Sequence, residues 1–285
     1  MWGRAENYQI REPDMSELTK SPIRRIFETL AIGIAFVAAF LFVREFKTSL
    51  FTSKQRAEAI QMASEVQNSI SSFIDAANDT QGIPQYIEAI DTTPKAKGDL
   101  GEIERFMKTF LNRMASQQNN LLIELDAIGW DRILDPDRIK KDKTLAESKM
   151  LTQKANDIVH KYKAQTYILL DNAQKEISAL KISESNRRGM LNGFKESMTN
   201  QRPQIDAMWD FESKVISEFE NIFALLSARQ GTWEIQNDEF LFARQSDANI
   251  FNSYITAIHE HTARQQAIQK QNIETMNNNF NRLKN

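Results

Sequence analysis

Residues 26–43, IFETLAIGIAFVAAFLFV, constrain this chain more than any other segment: of eighteen consecutive positions only Glu28 and Thr29 are polar. A helix through them rises about 1.5 Å per residue and reaches roughly 27 Å, near the thinner end of bilayer hydrocarbon cores. Arg24 and Arg25 before the run and Arg44 and Lys47 after it can hold its ends at the two interfaces. The run therefore predicts a single transmembrane helix, and the rest of the chain divides around it. A short polar tail covers 1–21, a signal anchor 22–48, and a helical-bundle domain 49–285.

Arg44-Glu45-Phe46-Lys47, directly after the run, lacks the small residues of a signal-peptide cleavage site, which favours an uncleaved anchor. Arg11, Lys20, Arg24 and Arg25 on one side balance Arg44, Lys47, Lys54 and Arg56 on the other, so charge bias does not fix the orientation. The simpler topology leaves the N-terminus in the cytoplasm and sends the long C-terminal domain outside, to the periplasm or the cell exterior. Glu28 lies four residues after Arg24 and reads as an ion pair near the interface rather than a proton-pathway group. Ala31, Ala35 and Ala39 recur every fourth residue and form a packing face on which a second span can approach closely.

Composition narrows what the remainder can be. With 41% hydrophobic and 26% charged residues the chain has material for a folded core. Its formal charge of -2 supplies no attraction to nucleic acid, which needs a basic face. Nine glycines and six prolines among 285 residues are too few to punctuate many strands, which favours long helices. The absence of cysteine excludes disulfides, thiolate metal sites and thiol nucleophiles.

The spacing of apolar residues then predicts an all-α architecture, an antiparallel bundle of long helices. Ala59, Ala63, Val66, Ile70, Phe73 and Ala77 form a heptad-like seam, too short for a free coiled coil and better read as a helix laid against its own domain. Gly82 and Pro84 end it. Leu100, Ile103, Phe106, Phe110, Met114, Leu121, Leu125 and Ile128 mark a helix over about 99–128, stopped by Gly129. Asp135-Pro136 reads as a cap and first-turn proline, leading to a long helix whose buried face carries Leu151, Ile158, Tyr162, Leu169, Ala173, Ile177 and Leu180. Ser183 and Ser185 offer caps for the next, which runs on to Gly231 with Pro203 expected to kink or divide it. Over 232–242 the period changes to alternation. Asn237-Asp238 as a two-residue turn sets Ile235 opposite Phe240 and Trp233 opposite Phe242, a small β-hairpin with helical continuation as the alternative. Ser246 then caps a last helix with Ile250, Tyr254, Ile258, Ile268, Ile273, Met276, Phe280 and Leu283 as its stripe.

Candidate chemistry is sparse. His259-Glu260-His261 resembles a metal motif, but residues two apart on a helix point about 200° away from each other, so the pair cannot share an ion easily. No nucleophile elbow and no phosphate loop occurs, and the carboxylates Glu102, Glu104 and Asp126 sit where a solvated helix face would place them. Trp130, Trp209 and Trp233 read as core rather than as a ligand box. The expectation is a membrane-anchored interaction or scaffold protein that acts by binding a protein partner or a second copy of itself, without catalysis, cofactor, metal or nucleic acid. The hairpin residues Trp233, Ile235, Phe240 and Phe242 are its candidate partner-facing surface. The alternative is a single-pass extracytoplasmic module that senses a small-molecule ligand and signals through a partner subunit.

Overall fold

The computed structural model describes residues 57–62, 64–68 and 89–284, apart from the side chains of 269, 276, 277 and 279–284 near the C-terminal end. The apolar run 26–43, its Ala31, Ala35 and Ala39 face, and the proposed break at Gly82 and Pro84 lie outside these residues. Among the described residues no helix is long and apolar enough to cross a membrane.

Four long helices dominate, as the periodicity predicts: α1 (Gly98–Ile128), α3 (Ala146–Ala179), α4 (Glu184–Ala228) and α5 (Gln245–Lys284), with a short α2 (Pro136–Lys141) between the first two. The hairpin strands β1 (Trp233–Gln236) and β2 (Glu239–Phe242) separate α4 from α5. The described chain divides into two compact units. One holds residues 123–160 and 210–264; the other holds the described part of 28–122 together with 161–209 and 265–285.

Local chemistry explains most boundaries. Gly129 ends α1 in the left-handed region at φ 76°, where an L side chain is strained, and a turn of 3₁₀ helix (Trp130–Arg132) follows. Asp135 caps α2, its carboxylate accepting the backbone N–H groups of Asp137 and Arg138, with Pro136 in the first turn. The stretch from Asp135 is not one helix start, however. The chain breaks again at 142–145, where Leu145 has φ 57°, and Asp142 accepts the N–H groups of Glu147 and Ser148 to open α3. The stop that divides 136–179 is thus an aspartate used as a second cap. Pro203 does not divide α4, which runs unbroken through it. The last helix starts at Gln245, one residue before the predicted Ser246 cap.

The cores follow the predicted stripes with two shifts of phase. In α1 seven of the eight expected positions are buried, Ile128 alone remaining half-exposed. In α3 Leu170 is buried and Leu169 half-exposed, and in α5 the buried apolar residues are Phe251, Ile255 and Ile258. Of the expected α5 stripe only Ile258 is among them, Ile250 being 39% exposed and Tyr254, Ile268 and Ile273 half-exposed, while the side chains of Met276, Phe280 and Leu283 lie outside those described. Trp130 meets Phe219 edge-on, with ring centroids 5.3 Å apart and planes at 85°, a geometry worth about 0.5–1.5 kcal/mol beyond its burial. Residues 57–62 and 64–68 are helical, and Ala59 and Val66 of the expected seam are buried together with Met62; the other seam positions, Ala63, Ile70, Phe73 and Ala77, lie outside the described residues.

Candidate functional site

The hairpin forms as its alternation requires. Trp233 pairs with Phe242, Glu234 with Leu241, Ile235 with Phe240 and Gln236 with Glu239. Asn237 and Asp238 both take positive φ, 52° and 63°, the signature of a type I′ turn whose twist matches that of the strands. Asn and Asp tolerate this region better than other L residues, which is why the turn closes without glycine.

Its aromatic face rests on its own chain. The Phe240 and Phe242 rings lie 5.0 and 5.3 Å from the ring of Phe251 on α5, and Trp233 lies 6.1 Å from Phe240. The Trp233 indole N–H donates to the Leu226 carbonyl at the end of α4 at 2.8 Å. These contacts account for the phase shift in α5, because Phe251 rather than Ile250 must face inward to seat the rings. Burial is partial: Trp233, Ile235, Phe240, Leu241 and Phe242 are all half-buried. At the tip, Asp238 lies 3.8 Å from the Lys140 ammonium of α2, which also faces Asp137 at 3.5 Å. At the base, the Arg229 guanidinium donates to the buried Asp247 carboxylate at 3.0 Å, and the Thr232 carbonyl accepts from Ala243 N–H. The hairpin is therefore held at tip, face and base while keeping part of each large ring in solvent.

Of the other predicted residues, Trp130 and Trp209 are core. His160 and His259 are exposed and His261 is half-buried. Among the described residues no group of three or more His, Asp or Glu side chains could hold a metal ion.

Two polar constellations escape the sequence pattern. Glu104, expected on a solvated face, is fully buried. Its Oε1 faces the Lys108 ammonium at 2.7 Å, and its Oε2 accepts the N–H groups of Lys95 and Ala96, both at 2.9 Å. Lys108 also donates to the Thr93 carbonyl at 3.0 Å, so one buried ion pair ties residues 93–96 to α1. Arg138 is the second. It donates to the Arg132 and Ile133 carbonyls and the Ser148 hydroxyl, and burial lowers its pKa against the pull of Glu147, Asp142 and Asp135. The only signal for either was an i, i+4 charge spacing, Glu104 to Lys108 and Arg138 to Asp142, which exposed helix faces use as well.

No protein family, characterised protein or solved structure matches this chain.

Proposed function

We propose that the chain is a membrane-anchored helical scaffold that acts by binding a protein partner, with residues 26–43 as the span and the hairpin region as the docking surface. The observation that carries the reading is the hairpin's construction. Its position is fixed through Phe251, Leu226 and Lys140, yet its aromatic residues stay half-exposed. Rigid, partly exposed Trp and Phe side chains bind at low entropic cost; both are enriched at protein interfaces, and Trp also among binding hot spots.

The segment joining span to bundle supports the same reading. Thirteen residues, 44–56, separate the apolar run from the helical segment at 57, whose Met62 and Val66 are buried. Even fully extended, thirteen residues reach only about 45 Å, so the domain works near the bilayer. In this reading the C-terminal domain lies outside the cytoplasm, and the Ala31, Ala35 and Ala39 face pairs spans of two copies.

A photo-crosslinking residue replacing Glu234 or Leu241 on the hairpin, compared with one replacing the exposed Ile168 on α3, tests the reading in intact membranes. A discrete heavier adduct is expected from the hairpin positions alone. No adduct from either set, or equal adducts from both, removes the hairpin as the docking surface. Protease protection of tags at the two ends tests the orientation, with the C-terminal tag expected to be cut in intact spheroplasts.

A further inference from the structure

His261 occupies the one imidazole environment among the described residues that depends on the ring being neutral. It projects from α5 and stacks on Phe211 of α4, with centroids 6.2 Å apart and planes at 28°. Its Nδ1 is shut off from solvent and meets no hydrogen-bond partner among the described residues. A neutral ring carrying its proton on Nε2 fits there, since an unprotonated Nδ1 needs no acceptor. An imidazolium does not fit, because its Nδ1–H is a buried donor with nowhere to donate.

The charged groups around the ring come from both helices: Lys214 and Glu218 on α4, Glu260 and Arg264 on α5. Stacking of a cation on Phe211 is attractive in isolation. The Lys214 ammonium already lies 5.7 Å from the centre of that ring, so a protonated His261 brings a second cation to an occupied partner. Burial acts first to lower the imidazole pKa below its ordinary value; Glu218 and Glu260 pull it up, and Lys214 and Arg264 push it down. The other two histidines, His160 and His259, are exposed.

We propose that the Phe211–His261 stack is an acid-sensitive latch between α4 and α5: neutral imidazole holds it closed, and protonation swings the ring out to water and uncovers Phe211. Opening is local, because Val215, Phe219, Ile255 and Ile258 nearby are buried apolar residues that no proton touches. The latch is separate from the docking role of the hairpin and does not require it.

Hydrogen exchange of the full chain in micelles, scaled for the chemical exchange rate, tests it at about pH 7.5 and about pH 5, on either side of the ordinary imidazole range. In the wild type, protection around 210–215 and 257–264 should fall at the lower pH, because the imidazole is more basic in the open state than in the closed one, so closure is lost as pH falls through the open-state pKa. His261→Phe, which keeps a flat ring but cannot charge, should hold its protection. A wild type that loses none, or a His261→Phe variant that loses as much, overturns the latch. Should that variant not fold, the imidazole titration in the His160→Gln, His259→Gln background reads His261 alone by NMR. A midpoint below 6.5 is expected; one at or above it overturns the proposal.

Discussion

Replacing Glu104 by alanine is the sharpest test of how the cores of this bundle are built. The Glu104 and Lys108 side chains are 0% and 4% exposed, and their charged atoms are 2.7 Å apart. For charge centres roughly 4 Å apart at an effective dielectric near 20 the attraction is about 4 kcal/mol, before the desolvation that both groups underwent on folding. Removing Glu104 deletes that attraction but leaves Lys108 buried, with the Thr93 carbonyl as its remaining partner in this cluster. It also strips the acceptor from two backbone N–H groups, those of Lys95 and Ala96. Lys95 is exposed and its N–H can rehydrate, so most of the loss comes from the stranded ammonium. Breaking buried pairs of this kind costs about 3–5 kcal/mol, a large part of the usual stability of a domain. Urea unfolding of the full chain in micelles, followed by far-ultraviolet circular dichroism, should show that loss for Glu104→Ala. Glu104→Leu with Lys108→Met, which removes both charges and keeps the volume, should recover most of it. A loss below about 1 kcal/mol for the single variant would match an exposed i, i+4 pair and refute the burial of the pair as the source of its strength.

Other substitutions test the remaining contacts. A Cβ at Gly101 would sit 2.5 Å from the Ala96 carbonyl oxygen, a backbone atom with no rotamer to yield, so Gly101→Ala should lower thermal stability by about 1–3 kcal/mol despite its better helix propensity. A gain in melting temperature would contradict the close approach. Phe251→Ala removes the seat of Phe240 and Phe242 and should cost about 3–5 kcal/mol in the unit that holds the hairpin, with Trp233 emission shifting to the red; unchanged emission would mean the hairpin does not rest there. Asp238→Gly gives the type I′ turn its preferred residue at φ 63° and should stabilise by up to about 1 kcal/mol, the exposed Lys140 pair that it deletes being worth less; a lower melting temperature would contradict this. Burial alone would raise the pKa of Asp142, but hydrogen bonds from the Ser148 backbone and hydroxyl, the Glu147 N–H and the charge of Arg138 hold it below its ordinary value of 3.8. Its contribution is therefore complete above that value and drains as pH falls through the folded pKa. Asp142→Asn should flatten the acid limb of the unfolding curve below about pH 4, and an unchanged slope would mean that Asp142 has no part in it.

Apolar period carried most of the architecture. Leu100 through Leu125 recur at a spacing that only one face of a helix can satisfy, and the structure buries that face. The hairpin was legible for a similar reason: a switch from period 3.6 to period 2 around Asn237-Asp238 leaves one register that puts all four large side chains together. What period does not encode is which of two adjacent apolar residues turns inward. Ile250 and Phe251 both fit a stripe, and the choice fell to Phe251 because two rings from a different element need it. Charge patterning misled in the same way. An i, i+4 pair reads identically whether it faces water or a folded-back loop, and what buries Glu104 is the path of residues 93–96, a tertiary fact. The break at 142–145 was hidden because Asp142 looks like any polar residue until the two N–H groups it accepts are seen.

Those missed residues share one physical role. Backbone groups at helix ends and in connections lack partners within their own segment, and a charged side chain satisfies them more strongly than a neutral one, by about 1.5–3 kcal/mol against about 1. Glu104 does this for residues 95 and 96. Asp99 does it where α4 begins, its carboxylate accepting from the Ser183 N–H and the Asn186 amide, both at 2.8 Å. Arg138 and Asp142 do it on either side of α2. The connections between helices are thereby fixed by ionised groups in the helices or, for Asp142, at a helix end, which raises the free energy of opening them locally. The hairpin shares such a tie only at its base, where Arg229 donates to the buried Asp247. Its face rests on ring contacts and one indole hydrogen bond, with an exposed ion pair at the tip, so the face is the part that a partner's apolar surface can reinforce. If the scaffold reading holds, deleting the Asp99 or Arg138 ties should lower stability without changing hairpin crosslinking at a temperature where the chain stays folded, whereas Phe251→Ala should abolish the crosslink. The reverse pattern would place the docking surface on the helix connections instead.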